Sequence, residues 1–207
     1  ALATTHAVLL CIIVVCVVAE AVLQGADHGL WGSTHWRGTA YQDGGFWPGL
    51  LDNWQPKYPG QPVVMFASYG FLHGGALHLL VNMITLASLG LLVIERVGQW
   101  RFALIYTLSL LGGAVGFAVL SSTMQPMVGA SGALFGLVGA LTGWEYTARR
   151  QMRAGIGPVL RVVGLLILLN LVMYWAMSGG LAWQTHLGGF LAGWAASLWL
   201  RDHTVAE

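Results

Sequence analysis

Five polar residues lie inside or at the ends of long apolar segments, where burying a polar group is costly and therefore indicates function. They are His73, His78, Asn82, Ser131 and His186. A histidine beside a serine hydroxyl can accept its proton and activate the oxygen as a nucleophile. His78 and Asn82 are four positions apart, so on a helix they share one face. These residue types could therefore support acyl transfer.

Ser131 lies in the stretch "VGASGALFGL", and its surroundings support two interpretations. Gly132 and Gly136 form a small-xxx-small pattern, which is typical of close helix packing, and a serine there is usually part of that contact. At the start of a helix, however, backbone N–H groups lack intrahelical acceptors and the helix dipole is positive. Such a position can hold a developing oxyanion. The motif by itself favours packing and leaves catalysis open.

His186 is followed by Gly189 and Gly193, which lie on the face of the histidine if the segment is helical. A histidine of this kind is by itself more often structural than catalytic. The glycine stripe of the Ser131 segment is the obvious packing partner, and that contact would bring His186 to Ser131. We expect a Ser–His dyad, because the acidic residues lie in the first loop, at the outer end of the first helix or on the opposite side of the membrane.

The elements that carry these residues are predicted to be membrane helices. The chain has 207 residues, of which 57% are hydrophobic and 8% charged, far below the roughly 25% charged residues of a soluble domain. The formal net charge of +1 gives no support to a nucleic-acid partner. We predict an all-α polytopic membrane protein with one domain over 1–207. A long external loop over about 25–70 is rich in tryptophan and tyrosine. The six predicted transmembrane helices are about 5–24, 75–95, 102–121, 131–147, 158–177 and 185–200.

The basic residues orient this bundle. Two of the nine, Arg37 and Lys57, lie in the first loop, and the other seven fall on one side: Arg96, Arg101, Arg149, Arg150, Arg153, Arg161 and Arg201. The positive-inside rule then places the C-terminus in the cytoplasm and the polar residues near the outer face. The count of six helices places the N-terminus in the cytoplasm as well. The compact six-helix form and the arginine bias favour a bacterial inner membrane.

Three motifs, in this order and on these helices, resemble the rhomboid family of intramembrane serine proteases. "HGGALHLLVNM" begins at His73, "GASGALFG" at Gly129 and "HLGGFLAG" at His186. The resemblance spans all six helices and is clearest over about residues 62–200.

The resemblance implies that Ser131 is the nucleophile and His186 the general base and acid. It assigns His78 and Asn82, with the Ser131 backbone N–H, to the oxyanion hole. Supporting roles fall to His73, Gly129, Gly132 and Phe135, the last stacking on the catalytic histidine, while Gly136, Gly189 and Gly193 serve helix packing. The implied reaction is hydrolysis of a peptide bond in or near a transmembrane helix that reaches the site laterally, past the fifth helix. We expect no cofactor and no metal ion.

One feature departs from the family pattern. Many relatives carry a Trp–Arg pair about nine residues before the first motif histidine, where this chain has Val64 and Met65; its own Trp36–Arg37 pair lies earlier. The fold of the first loop is therefore not predicted. Two other functions remain open: a non-proteolytic relative that binds transmembrane helices, alone or in a complex, and a transporter. The transporter is disfavoured because there is no inverted repeat.

Overall fold

The computed structural model describes residues 6–200, and their regular structure is helical. Eight α-helices follow one another along the chain: α1 Ala7–Asp27, α2 Trp36–Gly44, α3 Gln61–Ser68, α4 Ala76–Val97, α5 Gln99–Leu120, α6 Ser131–Gln151, α7 Gly157–Ala176 and α8 Trp183–Trp199. Short 3₁₀ turns lie at Pro48–Leu51 and Tyr69–Phe71. Residue 5, where the first helix was predicted to begin, and Arg201 lie outside the described residues.

All six predicted long helices are present, as α1 and α4 to α8, with ends that differ from the predicted ones by at most four residues. The all-α, polytopic prediction is confirmed. Gly98, with a φ of +80°, makes the turn between α4 and α5. The predicted external loop contains α2, α3 and both 3₁₀ turns, so it is a folded layer of the protein.

Four of these helices, α1, α4, α5 and α7, are by themselves long and apolar enough to cross a membrane. The other two predicted spans are different in character. Helix α6 is rich in glycine and carries Glu145, and α8 has 17 residues. Helix α6 has a physical reason to be less apolar, because it lies in the interior of the bundle and faces protein more than lipid. Ten residues of α6 are buried, compared with one, Val159, in α7.

Helix α8 lies between α5 and α6, in backbone contact with both. A Cβ atom added to Gly189 would overlap the carbonyl oxygen of Gly132, and one added to Gly193 would overlap that of Gly136. On the other side, a Cβ atom on Gly188 would overlap the carbonyl oxygen of Gly112. The predicted contact between the two glycine stripes is present. A second glycine contact, with α5, packs against the opposite side of α8.

This packing leads to a first prediction. We expect Gly189→Ala to lower the thermal stability of the protein in detergent micelles, because its methyl group would collide with backbone that has no rotamer through which to relax. Overpacking of this kind costs about 1–3 kcal/mol.

Gly164→Ala is the matched control, since Gly164 is also a helical glycine but has no atom within 4 Å of the added methyl group. Alanine is the better helix former, so this control should be neutral or slightly stabilising. Equal melting temperatures for the two variants would contradict the proposed role of the glycine contact.

Candidate active site

Ser131 is the first residue of α6, and the segment before it is held by the first loop. Phe46 and Met127 exchange two backbone hydrogen bonds of 2.9 and 3.0 Å, and the N–H of Gly129 donates to the carbonyl oxygen of Tyr69 at 2.9 Å. The rings of Phe46 and Tyr69 are both fully buried. The folded first loop therefore fixes the backbone that leads into the serine.

Gly129 occupies a position at which a larger residue would not fit. Its φ is +127°, and an added Cβ atom would stand 2.8 Å from Cε1 and 3.0 Å from Nε2 of His78. The ring of His78 thus lies directly against the backbone two residues before Ser131. This close approach explains why the motif has a glycine there.

The structure brings the predicted dyad together. Nε2 of His186 lies 2.9 Å from Oγ of Ser131, within hydrogen-bond distance. The ring of Phe135 stacks on the imidazole with centroids 4.1 Å apart and an interplanar angle of 6°. His186 is buried, with 7% of its surface exposed. The predicted stacking on the histidine is present, and it restricts the imidazole to the plane that faces the serine.

The sequence reasoning missed one partner of this histidine. Nδ1 of His186 lies 2.7 Å from Oδ1 of Asn170, on α7. The predicted dyad has no third member, because the sequence offers no suitably placed carboxylate for His186. A signal was available, because Asn170 is an amide within the apolar stretch "LLILLNLVM", and a polar residue inside a span indicates function by default.

His78 and Asn82 both lie on α4, and the ring of His78 is the one that contacts Gly129. The N–H of Gly74 donates to Nδ1 of His78 at 3.0 Å, so the ring proton of a neutral His78 is on Nε2, the nitrogen nearest Gly129. The amide nitrogen of Asn82 donates to the carbonyl oxygen of His78 at 2.8 Å, and the side chain is buried. His78 is thus oriented as a donor beside the serine loop, residues 121–130, which leads into Ser131. Asn82 lies one turn further along the same helix as His78.

His73 lies against His78, with ring centroids 5.3 Å apart in an edge-to-face arrangement. Burial, and then the neighbouring His78, lower the pKa of His73 to about 4, so it is uncharged at neutral pH. Its carbonyl oxygen accepts hydrogen bonds from Tyr41 at 2.6 Å and from Arg37 at 3.1 Å.

Arg37 joins the first loop to the first helix. Its guanidinium donates to both carboxylate oxygens of Glu20, at 2.8 and 3.0 Å, and to Asp27 at 2.6 Å. The hydrogen bond to Glu20 raises the pKa of Arg37, which therefore remains charged. Arg37 of the Trp36–Arg37 pair thus connects the first loop to α1, although the pair lies earlier in the sequence than the family pattern has it. Glu20 and Asp27, the acidic residues at the outer end of the first helix, are thus both bound to this arginine.

The described residues thus form a polytopic helical membrane protein with a partly buried serine–histidine pair at one end of its central helices. The model of the rhomboid domain matches residues 60–203, and the chain belongs to the rhomboid family. It is 37% identical to RHOMBOID-like protein 5 of Arabidopsis thaliana over 124 residues. These aligned residues cover 59% of this chain and 39% of that protein.

Two further relatives carry the word protease in their names. Rhomboid protease GluP of Bacillus subtilis is 35% identical over 126 residues, which cover 61% of this chain and 24% of that protein. Rhomboid-like protease 3 of Toxoplasma gondii is 34% identical over 128 residues, covering 59% and 46%. The chain spans less than half the length of these curated relatives.

The arginine cluster generates a second prediction. Arg37→Leu should lower the free energy of unfolding in mixed micelles by about 3–5 kcal/mol, because Glu20, which is 2% exposed, would be left as a buried carboxylate without its partner.

Lys57→Leu is the matched control. The Lys57–Asp43 pair has a similar distance, 2.6 Å, but its side chains are 47% and 43% exposed, so its loss should cost about 1 kcal/mol or less. A cost for Arg37→Leu as small as that of the control would show that the cluster does not stabilise the loop.

Proposed function

We propose that this protein is an intramembrane serine endopeptidase that cleaves peptide bonds in or near transmembrane helices with Ser131 and His186 as its dyad. The observation that carries the proposal is the 2.9 Å contact between Oγ of Ser131 and Nε2 of His186. Membership of a family with named proteases supports it.

In the acylation step, Oγ of Ser131 attacks the scissile carbonyl carbon while Nε2 of His186 takes the hydroxyl proton. The C=O bond becomes a C–O⁻ single bond, and the imidazole becomes imidazolium. When this tetrahedral intermediate collapses, the C–N bond breaks and His186 returns the proton to the leaving amine. The amino-terminal part of the substrate remains as an ester on Ser131.

Water completes the reaction. His186 takes a proton from the water as its oxygen attacks the ester carbonyl, and a second tetrahedral intermediate forms. Its collapse breaks the bond to Oγ, and His186 returns the proton to Ser131. The products are a carboxylic acid and the regenerated hydroxyl.

The negative oxygen of both intermediates requires donors that are already in place. We assign this role to Nε2–H of His78, the amide of Asn82 and the backbone N–H of Ser131. The hydrogen bond from Gly74 to Nδ1 of His78 supports the assignment, because it leaves the His78 proton on the nitrogen that faces the serine loop. His73, Gly129 and Gly132 act indirectly, by supporting the His78 ring and the backbone around the nucleophile.

The placement of charge supports an outward-facing site. Ser131 begins α6, whereas Arg149 and Arg150 lie in its last turn, and Arg96 lies in the last turn of α4. With the arginines in the cytoplasm, as the positive-inside rule requires, the dyad lies toward the outer face and both termini are cytoplasmic. We assign the protein to a bacterial inner membrane on the same charge bias. The substrates are membrane proteins whose helices reach the site beside α7.

The first test of this proposal is chemical labelling. A fluorophosphonate probe, which forms a covalent bond with an activated serine oxygen, should label the wild-type protein in micelles and should not label Ser131→Ala. Cleavage of a transmembrane reporter in liposomes should be lost in parallel, and His186→Ala should lose both signals because the nucleophile then has no base.

The control for folding is the melting temperature, which Ser131→Ala should leave unchanged. A protein that binds transmembrane helices without cutting them would bind the reporter, resist the probe and give no cleavage. That result, or unchanged cleavage by Ser131→Ala, would contradict the proposal.

A further prediction concerns the oxyanion donors. Asn82→Ala should lower kcat by about 10²–10³ with little change in KM, since the donor acts on charge that appears in the transition state.

Thr85→Val is the matched control, because Thr85 lies on the same helix and, like Asn82, donates to the carbonyl oxygen four residues earlier. Thr85 is half-buried and has no part in the proposed oxyanion hole, so it should be replaceable without loss of rate. Equal rates for the two variants would remove Asn82 from the oxyanion hole.

A further inference from the structure

We infer that Asn170 is a positioning residue of the proposed protease: it fixes the tautomer and orientation of His186, and so makes the base depend on the position of α7. This inference rests on the proposed function. Its evidence is a directed chain of three hydrogen bonds that joins α7, α8 and α6.

The direction of this chain follows from its first member. The amide nitrogen of Asn170 donates to the carbonyl oxygen of Leu166 at 2.9 Å, and a carbonyl oxygen can only accept. The nitrogen of the Asn170 amide is therefore the atom that faces its own helix. Its oxygen is the atom that faces His186.

The protonation of His186 follows in turn. Oδ1 of Asn170 can only accept, so at 2.7 Å the Nδ1 atom of His186 must carry a proton and donate it. In the neutral imidazole Nε2 is then unprotonated, and its lone pair faces the hydroxyl of Ser131 at 2.9 Å. This is the tautomer that a general base requires. The opposite tautomer would direct an N–H group at the hydroxyl and could not accept its proton.

The bond to Asn170 also becomes stronger during the reaction. When Ser131 transfers its proton, His186 becomes an imidazolium, and its Nδ1–H bond to Asn170 becomes charge-assisted. The sequence supplies no carboxylate partner for His186, so the dipole of the neutral Asn170 amide stabilises the positive charge of the imidazolium. The interaction is stronger in the transition state than in the ground state, so its loss should appear in kcat.

Helix α7 contributes little else to the bundle. Val159 is its one buried residue, and leucine and valine side chains along its length are exposed. Asn170 is thus a polar contact from a peripheral helix to the central pair. A displacement of α7 that separates Oδ1 of Asn170 from Nδ1 of His186 would leave the base without its acceptor. The same helix borders the route that we propose for the substrate.

The test combines kinetics with nuclear magnetic resonance of ring-¹⁵N-labelled histidine in the full chain. Asn170→Leu, which keeps a similar shape without the acceptor, should lower kcat about 10- to 100-fold, the range expected when a hydrogen bond to a charged group is lost. KM should stay the same, because Asn170 faces His186 and not the substrate. The His186 signals, assigned with a His186→Gln sample, should show the Nδ1–H tautomer in the wild type and a shift toward the Nε2–H tautomer in Asn170→Leu.

Asn170→Asp retains an acceptor oxygen and should restore most of the rate together with the Nδ1–H signal. Thr147→Val is the matched control, since Thr147 on α6 also donates to the carbonyl oxygen four residues earlier, at 2.9 Å, and lies away from the dyad. It should change neither kcat nor the His186 tautomer. A merely structural role for Asn170 would lower the melting temperature and leave the tautomer unchanged.

The inference is overturned if Asn170→Leu retains the wild-type kcat, or if it keeps the Nδ1–H tautomer. Failure of the proposed function gives a different pattern. In that case Ser131→Ala and the wild type behave alike toward probe and reporter, while the tautomer measurement, which needs no activity, still reports whether Asn170 orients His186.

Discussion

The close approach of α8 to α6 is the contact on which the rest of the site depends. Gly189 meets Gly132 and Gly193 meets Gly136 with backbone against backbone, so the two helix axes come closer than side chains would allow. In a membrane there is little hydrophobic gain from bringing helices together, and such contacts must be stabilised by packing itself. The same contact sets the distance between Ser131 and His186, which lie at the adjoining ends of these helices. Packing and proposed chemistry are therefore two consequences of one glycine pattern.

A second frame comes from the first loop, which surrounds the serine segment from the outside. Phe46 pairs with Met127 through the backbone, and the carbonyl oxygen of Tyr69 accepts from Gly129. Arg37 holds this loop to α1 through Glu20 and Asp27 and reaches the carbonyl oxygen of His73. The serine therefore lies between a closely packed helix pair and a loop that is held by a partly buried ion cluster. Such a frame suits a site whose groups must already be in place when charge develops.

The third side of the site is built differently. Helix α7 is apolar and largely exposed, and Asn170 is its polar contact with His186. The closely packed helices α6 and α8 and the loosely packed helix α7 thus meet at the imidazole of His186. This arrangement allows a base that is held firmly in one plane by Phe135 and oriented within that plane by a helix with fewer constraints.

The helices, the motifs and the meeting of Ser131 with His186 could all be predicted from the order and spacing of the residues. Long apolar runs leave few alternatives to helices in a membrane, because every backbone polar group must be satisfied within the segment, and the glycine spacing indicated which helices would meet. Three other features follow only from the packing of the folded chain: the fold of the first loop, the position of Arg37 and the hydrogen-bond partner of His186. Each depends on atoms from segments far apart in the chain. Arg37 binds residues of α1 and of the turn before α4, and His186 finds its acceptor sixteen residues earlier, on a neighbouring helix. Periodicity shows which face a residue occupies, but the atom opposite that face is set only when the helices pack.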